Sequence, residues 1–194
     1  MILDFPHSAL ITVDVQNDFC PGGALAVEKG DEVIEPLNRL AALFMTRSGR
    51  VAATQDWHPE GHVSFGLWPE HCVQGKAGAD FHKGLDLKPL NLIIRKGFRP
   101  GLDSYSAFFE NDRKTSTGLD GYLKTLSINT LLLGGLATDY CVLYSALDAA
   151  ALGYKTIVAA DAVRGVGFPS GSVERAFEQL HKAGVIIVES GEIE

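Results

Sequence analysis

The fold is decided by one stretch, residues 131–141, which reads LLLGGLATDYC. Three leucines form an apolar run, two glycines interrupt it, and apolar residues recur at helical spacing from Thr138 onward. This pattern predicts a buried strand that leads into a helix, with Thr138 as the N-cap and Cys141 in the first helical turn. Unpaired N–H groups and the positive end of the helix dipole favour a thiolate there. Cys141 is therefore a candidate nucleophile, although a small apolar residue at a helix start explains this segment equally well.

Apolar strands and amphipathic helices alternate along the rest of the chain. The predicted strands cover residues 9–15, 51–54, 91–94, 130–133, 156–159 and 185–188. One predicted helix has Asp31 as its N-cap and an apolar face that reaches Phe44, and the others cover 119–126, 138–152 and 170–182. We therefore expect an α/β fold, a three-layer α-β-α sandwich with a central, mostly parallel six-stranded sheet. No repeat or domain boundary is visible, so residues 1–194 are expected to form a single domain.

Composition argues against several classes of partner. The chain has 194 residues, of which 46% are hydrophobic, and a formal net charge of −7. An acidic chain without a basic run is a poor candidate for nucleic acid or an anionic membrane, and no apolar segment approaches the length of a membrane span. The start of the chain lacks the basic region of a signal peptide, and three cysteines without a CxxC pair argue against a disulfide framework. We expect a cytoplasmic protein with free thiols.

Reactive side chains follow the predicted strands. In doubly wound sheets, ligands bind outside the carboxyl ends of the strands. Asp14, Asp56, Lys96 and Cys141 all lie at or just after the end of a predicted strand, and the 35 residues of segment 56–90 contain no clear element. Loops of this length inside a compact domain are usually functional. The sequence therefore predicts an active site at this edge of the sheet.

The long segment carries side chains that bind metals. Asp56 and His58 are alternate residues at a strand end and turn the same way, and His62 and His71 lie in the adjoining loop. One carboxylate with two or three imidazoles is a donor set that Zn, Fe or Mn accepts. A divalent metal site is therefore favoured over polar residues that merely cap a turn. Cys72 is a further ligand or a core residue.

Asp14 ends an apolar strand, so its carboxylate needs either a charged partner or a role in catalysis. A buried carboxylate without a partner would cost several kcal/mol. Lys96 is the expected partner, with Arg95 as a competitor. A carboxylate, an ammonium group and the Cys141 thiol on adjacent strand ends make a nucleophile with a base and an orienting cation. A structural ion pair at the sheet edge is the alternative.

Taken together, five motifs resemble those of the isochorismatase-like cysteine hydrolases, and among them most closely the nicotinamidases. They are VDVQNDF (13–19), QDWH (55–58), WPEHC (68–72), RKG (95–97) and GLATDYC (135–141). Their order and spacing make the resemblance specific, and it spans almost the whole chain. It implies a catalytic triad of Asp14, Lys96 and Cys141, with backbone N–H groups of Ala137 and Cys141 as the oxyanion hole. It also implies a cis peptide bond between Leu136 and Ala137.

The resemblance also implies a cofactor and a reaction. One divalent metal ion, zinc in the first place or else iron or manganese, would be bound by Asp56, His58 and His71, with His62 as an extra ligand where the family varies. The implied partner is a small-molecule substrate, nicotinamide or a close analogue such as pyrazinamide. The implied reaction, known from NAD salvage, converts it to the acid and ammonia. It proceeds through a cysteine thioester, while the metal orients the pyridine ring. The candidates for the substrate pocket wall are Phe19, Leu25, Trp68, Tyr105, Leu136 and Tyr140.

Other functions stay open at this point. The chain could be another amide or carbamoyl hydrolase of the same superfamily, or a metal-dependent hydrolase whose metal-bound water attacks while Cys141 is structural. A flavodoxin-like binding module is disfavoured, because no glycine-rich phosphate loop follows the first strand. A homo-oligomer is compatible with the sequence, which determines neither the oligomeric state nor the metal.

Overall fold

Six strands form one sheet in the computed structural model, which describes residues 1–194. They are β1 (Ser8–Val13), β2 (Arg50–Asp56), β3 (Leu92–Lys96), β4 (Thr130–Leu136), β5 (Lys155–Arg164) and β6 (Ile186–Val188). Their order across the sheet is β3-β2-β1-β4-β5-β6, and every neighbouring pair is parallel. The predicted α/β fold with a six-stranded sheet is confirmed, and the sheet is parallel throughout.

Four helices cover the two faces of the sheet. They are α1 (Ile34–Thr46), α2 (Leu119–Thr125), α3 (Leu143–Ala151) and α4 (Ser172–Lys182). Because side chains alternate along a strand, Leu10 and Leu132 pack with α1 on one face, whereas Ile11 and Leu133 pack with the other three helices on the opposite face. The longest helix, α1, has 13 residues, and no helix has the length and apolar character needed to cross a membrane.

Two predicted helix caps are wrong. Asp31 lies inside a short 3-10 turn (Gly30–Val33), and α1 begins only at Ile34, without a side-chain cap. Thr138 is likewise not a cap, because residues Thr138–Val142 form a single π-helical turn before α3 begins. In that turn the N–H groups of Tyr140 and Val142 both donate to the carbonyl of Ala137, each at 3.1 Å. The turns at both helix starts are therefore made without a side-chain cap, and neither Asp31 nor Thr138 has the predicted role.

The strand ends on either side of Gly135 lie unusually close together. A Cβ atom at Gly135 would come within 2.1 Å of the carbonyl oxygen of Val13, and its φ of +123° is one that side-chain-bearing residues rarely adopt. Glycine at this position thus lets β4 run against the end of β1. As a result, the turn that follows β4 lies beside the residue that follows β1.

Candidate active site

Asp14 is the first residue beyond β1, and its backbone turns away from the strand. Its φ of +48° lies in the left-handed region, and its side chain is fully buried. Oδ1 of Asp14 accepts a hydrogen bond from Thr54 Oγ1 at 2.6 Å, and the same hydroxyl accepts the Asp14 N–H at 3.1 Å. Burial raises the pKa of the Asp14 carboxyl above its ordinary value. The geometry therefore presents a fixed carboxylate with an increased affinity for a proton.

Lys96 ends β3 and connects the carboxylates of the site to the thiol. It is fully buried and pairs in register with Asp56. Its Nζ donates a hydrogen bond to Asp56 Oδ1 and lies 2.9 Å from Oδ2 of Asp14. It also donates to the carbonyl of Ser104 at 3.0 Å and lies 3.5 Å from Sγ of Cys141. Burial alone would lower the pKa of Lys96, but the two carboxylates outweigh it and raise that pKa well above normal, so the ammonium group stays charged.

Cys141 lies in the π-helical turn after β4, with its thiol next to the predicted base. Its Sγ and carboxylate oxygens of Asp14 and Asp56 all lie within 4.8 Å of one another. Burial raises the pKa of the Cys141 thiol well above its usual value, and the two carboxylates add to this, whereas Lys96 opposes it. The expectation of a favoured thiolate is therefore wrong for this geometry. The resting group is a thiol, which needs a base to take its proton.

Asp56, His58 and His71 form a compact group that we call the metal cluster. One ligand atom of each lies within 4.8 Å of the other two, and all three side chains are buried. Nδ1 of His58 donates to the carbonyl of Gly97 at 2.8 Å, and Nδ1 of His71 donates to the carbonyl of Pro69 at 2.7 Å. Because these carbonyls can only accept, both rings carry a proton on Nδ1, and Nε2 is the atom of each ring that could coordinate a metal.

The donor set of the metal cluster fits a divalent ion. Nε2 of His58 is buried, has no hydrogen-bond partner and lies 3.6 Å from Oδ2 of Asp56. A buried nitrogen without a partner is costly in a folded protein unless it has another ligand. The pKa of Asp56 is lowered, since Lys96 and His58 outweigh the effect of burial, so the carboxylate is ionised and ready to coordinate. Two imidazoles and one carboxylate are ligands that zinc accepts.

His62 lies beside the metal cluster and not within it. Its Nδ1 accepts a hydrogen bond from Ser64 Oγ at 2.7 Å, and its Nε2 donates to the carbonyl of Leu102 at 3.2 Å. The ring stacks on His58 with centroids 4.2 Å apart and planes at 14°. Its ligand atoms group with His58 and Asp103 instead. Both nitrogens of His62 are thus already bonded, and the ring supports the orientation of His58.

Cys72 and Cys20 are core residues. Both are buried as free thiols, and each belongs to the apolar cluster on the α1 side of the sheet. Burial raises the pKa of both thiols, to about 11 for Cys20, so neither is a reactive thiolate. This settles the open question about Cys72 in favour of the core.

Gln16 holds the backbone of Asp56 at the end of β2. Its Oε1 accepts the N–H of Asp56 at 2.8 Å, while its Nε2 donates to the carbonyl of Asp56 at 2.8 Å and to that of Ala79 at 2.8 Å. The regular pairing of β1 with β2 has already ended, because the chain turns at Asp14. The buried amide of Gln16 therefore replaces two ladder bonds and sets the position of the metal-cluster carboxylate. Sequence reasoning missed this residue, although it lies in the first motif.

An apolar cleft of about 450 Å³, including the space at its mouth, opens onto Cys141. Its lining residues are Phe19, Leu25, Val27, Asp56, Trp68, His71, Asp103, Tyr105, Ala137, Tyr140, Cys141 and Val166. Of the predicted wall residues, Leu136 is the exception, because its side chain is buried in the core on the α1 side and does not line the cleft. Val27, Asp103 and Val166 were not predicted, since each lies in a connection without apolar periodicity.

The sequence profile of the isochorismatase domain matches residues 8–192 of this chain. The chain belongs to the isochorismatase family. It is 44% identical to the nicotinamidase of Acinetobacter baylyi, over 96% of this chain and 94% of that protein. The structure of PnC1 from L. infantum in complex with nicotinate is 36% identical, covers 100% of this chain and 98% of that one, and has a TM-score of 0.94. The structure of the pyrazinamidase of Pyrococcus horikoshii in complex with zinc is 38% identical, covers 95% and 99%, and has a TM-score of 0.87.

Three aromatic side chains form one wall of this isochorismatase-family cleft. Trp68 Nε1 donates to the hydroxyl of Tyr105 at 3.2 Å, and the Tyr140 ring meets Trp68 edge-on with centroids 5.1 Å apart. Burial raises the pKa of Tyr105 to about 12, so its phenol stays neutral. A neutral aromatic wall of this kind suits a flat, uncharged ring.

Ala137 brings a free amide to the floor of the same cleft. The Leu136–Ala137 peptide bond is cis, as the resemblance to the isochorismatase family implied. The N–H of Ala137 donates to no acceptor in the protein, and the residue lines the cleft next to Cys141. An unused donor beside a nucleophile is what an oxyanion hole requires.

Proposed function

We propose that this isochorismatase-family chain hydrolyses the carboxamide of nicotinamide to nicotinate and ammonia, with Cys141 as the nucleophile. The observation that carries the proposal is the position of Lys96 Nζ, which lies 2.9 Å from Asp14 and 3.5 Å from the sulfur of Cys141. A relative 44% identical over nearly the whole chain is a nicotinamidase, and a structural neighbour binds nicotinate. The reaction belongs to NAD salvage.

The first half of the reaction forms a thioester. Asp14, whose pKa burial raises, takes the proton of the Cys141 thiol, and the sulfur attacks the amide carbon of the substrate. The N–H groups of Ala137 and Cys141 would hold the oxygen as it gains negative charge, a contribution of about 3 kcal/mol for each donor in comparable sites. Asp14 then returns the proton to the amide nitrogen, the C–N bond breaks, and ammonia leaves.

The second half returns the enzyme to its starting state. A water molecule enters the position that ammonia has left, and Asp14 takes one of its protons. The resulting hydroxide attacks the thioester carbon, the C–S bond breaks, and nicotinate is released. The proton on Asp14 restores the Cys141 thiol. Throughout, Lys96 stays charged, orients Asp14 and offsets the negative charge on the sulfur.

The metal cluster would hold one divalent ion through Asp56, His58 and His71, and we propose zinc, which the P. horikoshii relative binds. When bound, the ion would supply a Lewis acid that orients the pyridine nitrogen and withdraws electron density from the amide. His71 and Asp56 line the same cleft as Cys141, so ring and amide would be held at opposite parts of one site.

The aromatic wall favours a ring amide over the second candidate, an open-chain carbamoyl substrate. Trp68, Tyr105 and Tyr140 together present a neutral aromatic surface to the cleft, and an open-chain substrate would leave that surface without a stacking partner. The difference is measurable as a ratio of kcat/KM values for nicotinamide and a carbamoyl amino acid.

Ammonia release from nicotinamide by the purified protein tests the proposal. We expect turnover by the wild-type chain, loss of turnover after dialysis against a chelator, and recovery when zinc is added back. Mass spectrometry of a quenched reaction should show the nicotinoyl group attached to Cys141. Undiminished turnover by Cys141→Ala would instead support hydrolysis by a metal-activated water.

A further inference from the structure

A short segment without regular structure closes one side of the cleft. Residues 165–171, which read GVGFPSG and which we call the 165–171 segment, connect the end of β5 to the start of α4. Val166 of this segment lines the same cleft as Cys141, whereas Phe168 is 68% exposed. The segment thus extends from solvent into the wall of the cleft without a helix or strand to hold it.

A buried carboxylate that the proposed chemistry does not use holds this segment. Oδ1 of Asp139 accepts the N–H of Val166 at 2.8 Å, and Oδ2 accepts the N–H of Gly167 at 2.9 Å. Oδ2 also accepts the hydroxyl of Ser172, the first residue of α4, at 2.5 Å. Asp139 is only 7% exposed, and hydrogen bonds to a buried carboxylate are among the strong ones in proteins. Two of its three partners are the backbone of the cleft-wall residue and its neighbour.

A second contact comes from the next residue of the same turn. The hydroxyl of Tyr140 donates to the carbonyl of Phe168 at 2.7 Å, and the Tyr140 ring belongs to the aromatic wall. A Cβ atom at Gly165 would approach Asp139 Oδ1 to 3.1 Å and Val173 Cγ2 to 2.3 Å. The backbone of the segment therefore packs directly against the side chains of Asp139 and Val173. Asp139 and Tyr140 therefore hold the segment, and the residue after them is the nucleophile.

From this arrangement we propose that Val166 is a specificity-determining residue and that Asp139 is the positioning residue that sets it against the substrate ring. This inference rests on the proposed function, because it names how the same cleft selects among ring amides. The isopropyl group of Val166 occupies space that a substituent on the ring would need. Asp139 accepts the N–H of Val166 and lies two residues before Cys141 in the same turn. The distance between Val166 and Cys141 is therefore determined by this hydrogen bond and by the geometry of that turn.

Five proteins test the inference: the wild type, Val166→Ala, Asp139→Asn, the double variant that combines these two changes, and Asp161→Asn. Asp161 is the matched control, since its carboxylate also accepts one N–H and one hydroxyl, from Ser190 at 2.7 and 2.5 Å, but it does not line the cleft. For each protein, kcat and KM are measured with nicotinamide and with its ring-methylated isomers. Thermal unfolding of each variant reports whether the fold is retained.

For Val166→Ala we expect kcat/KM for at least one methylated isomer, relative to nicotinamide, to rise about tenfold or more, the scale on which a pocket discriminates single methyl groups. For Asp139→Asn we expect KM for nicotinamide to rise about tenfold, kcat to stay within about threefold, and the discrimination to relax in the same direction. The double variant should relax discrimination no further than Val166→Ala alone. Asp161→Asn should leave all these ratios unchanged.

Three results would overturn the inference. They are unchanged discrimination in Val166→Ala, a fall in kcat without change of KM in Asp139→Asn, or an equal effect in Asp161→Asn. Should Asp139→Asn fail to fold, the Val166→Ala ratios still decide whether the wall sets specificity. A wild-type protein that releases no ammonia from nicotinamide would contradict the proposed function. Wild-type activity with unaltered ratios would contradict only the present inference.

Discussion

The side-chain amide of Gln16 bonds both the N–H and the carbonyl of Asp56, each at 2.8 Å, and so takes the place of strand pairing where β1 has ended. Because Asp56 is the carboxylate of the metal cluster, this contact links the end of one strand to the proposed metal site. The same amide also reaches the carbonyl of Ala79 in the long connection. Gln16 thus supports the metal-cluster carboxylate from the chain just beyond β1.

We predict that Gln16→Ala lowers the affinity for zinc by about 10- to 100-fold, the range found when residues that support metal ligands are removed. Gln16→Glu should fall between this variant and the wild type, because it keeps the acceptor for the Asp56 N–H and loses the donor to its carbonyl. Affinity is measured by competition with a chelating dye. Gln74→Ala is the control, since Gln74 bonds the carbonyl of Trp57 at 2.8 Å from an exposed position. Equal affinity in the wild type and Gln16→Ala would count against the role.

Replacement of the proposed nucleophile should abolish turnover and leave the fold intact. We expect Cys141→Ala to reduce kcat for nicotinamide by several orders of magnitude, because no other group can form the thioester. Cys72→Ala and Cys20→Ala are matched controls, since both are buried free thiols in the core. They should lose stability and keep most of the turnover of folded protein. A large catalytic loss in Cys72→Ala with full activity in Cys141→Ala would reverse the assignment.

The metal cluster predicts the metal content of the purified protein. Elemental analysis should find one divalent ion per chain, and His58→Ala or His71→Ala should lose it, because each removes one of three ligands. His62→Ala should retain more metal than either, since both nitrogens of His62 bond to protein groups and the ring acts by stacking on His58. Full metal content in both the His58 and His71 variants would falsify the site.

Asp14 and Lys96 should behave as one unit with the thiol. We expect Asp14→Asn and Lys96→Ala each to reduce turnover by at least about a hundredfold, the low end of acid–base contributions, and the double variant to be little worse than the poorer single one. An ion pair that only braced the sheet would affect stability and leave kcat nearly unchanged. Multiplicative losses in kcat would therefore argue against a shared role.

Alkylation of Cys141 gives an independent measurement on the same residues. Lys96 is the group that lowers the pKa of the Cys141 thiol, against burial and two carboxylates that raise it. Removal of the Lys96 ammonium group should raise the pKa of the Cys141 thiol further. A smaller fraction of the thiol is then ionised near neutral pH, so alkylation should slow. An unchanged rate in folded Lys96→Ala would show that the ammonium group does not act on the sulfur.

Much of the site could be predicted because the carboxyl ends of parallel strands meet at one edge. The apolar runs in the sequence predicted the positions of β1 to β4. Because these four strands are adjacent and parallel, the reactive residues at their carboxyl ends lie close together. Val166 and Asp103 escaped prediction because they belong to connections, where no periodicity reports which side chain turns inward. The protonation state of Cys141 could not be predicted from sequence either, since it depends on the burial of the thiol and on which carboxylates lie close to it in space. The caps at Asp31 and Thr138 failed because backbone turns replaced them.

The parallel sheet separates two tasks that an enzyme must perform. The proposed base, the ammonium group, the metal-cluster carboxylate and the thiol lie at the carboxyl ends of four adjacent strands, one at each strand. The backbone ladder that makes the fold therefore also positions the groups that are proposed to react. Most cleft-wall side chains, from Phe19 and Leu25 to Trp68, Tyr105 and Val166, come from the connections between strands and helices. Connections tolerate substitution far better than a central sheet does. Such a scaffold is evolvable, because substitutions in the connections can change which amide fits the cleft while the groups at the strand ends stay the same.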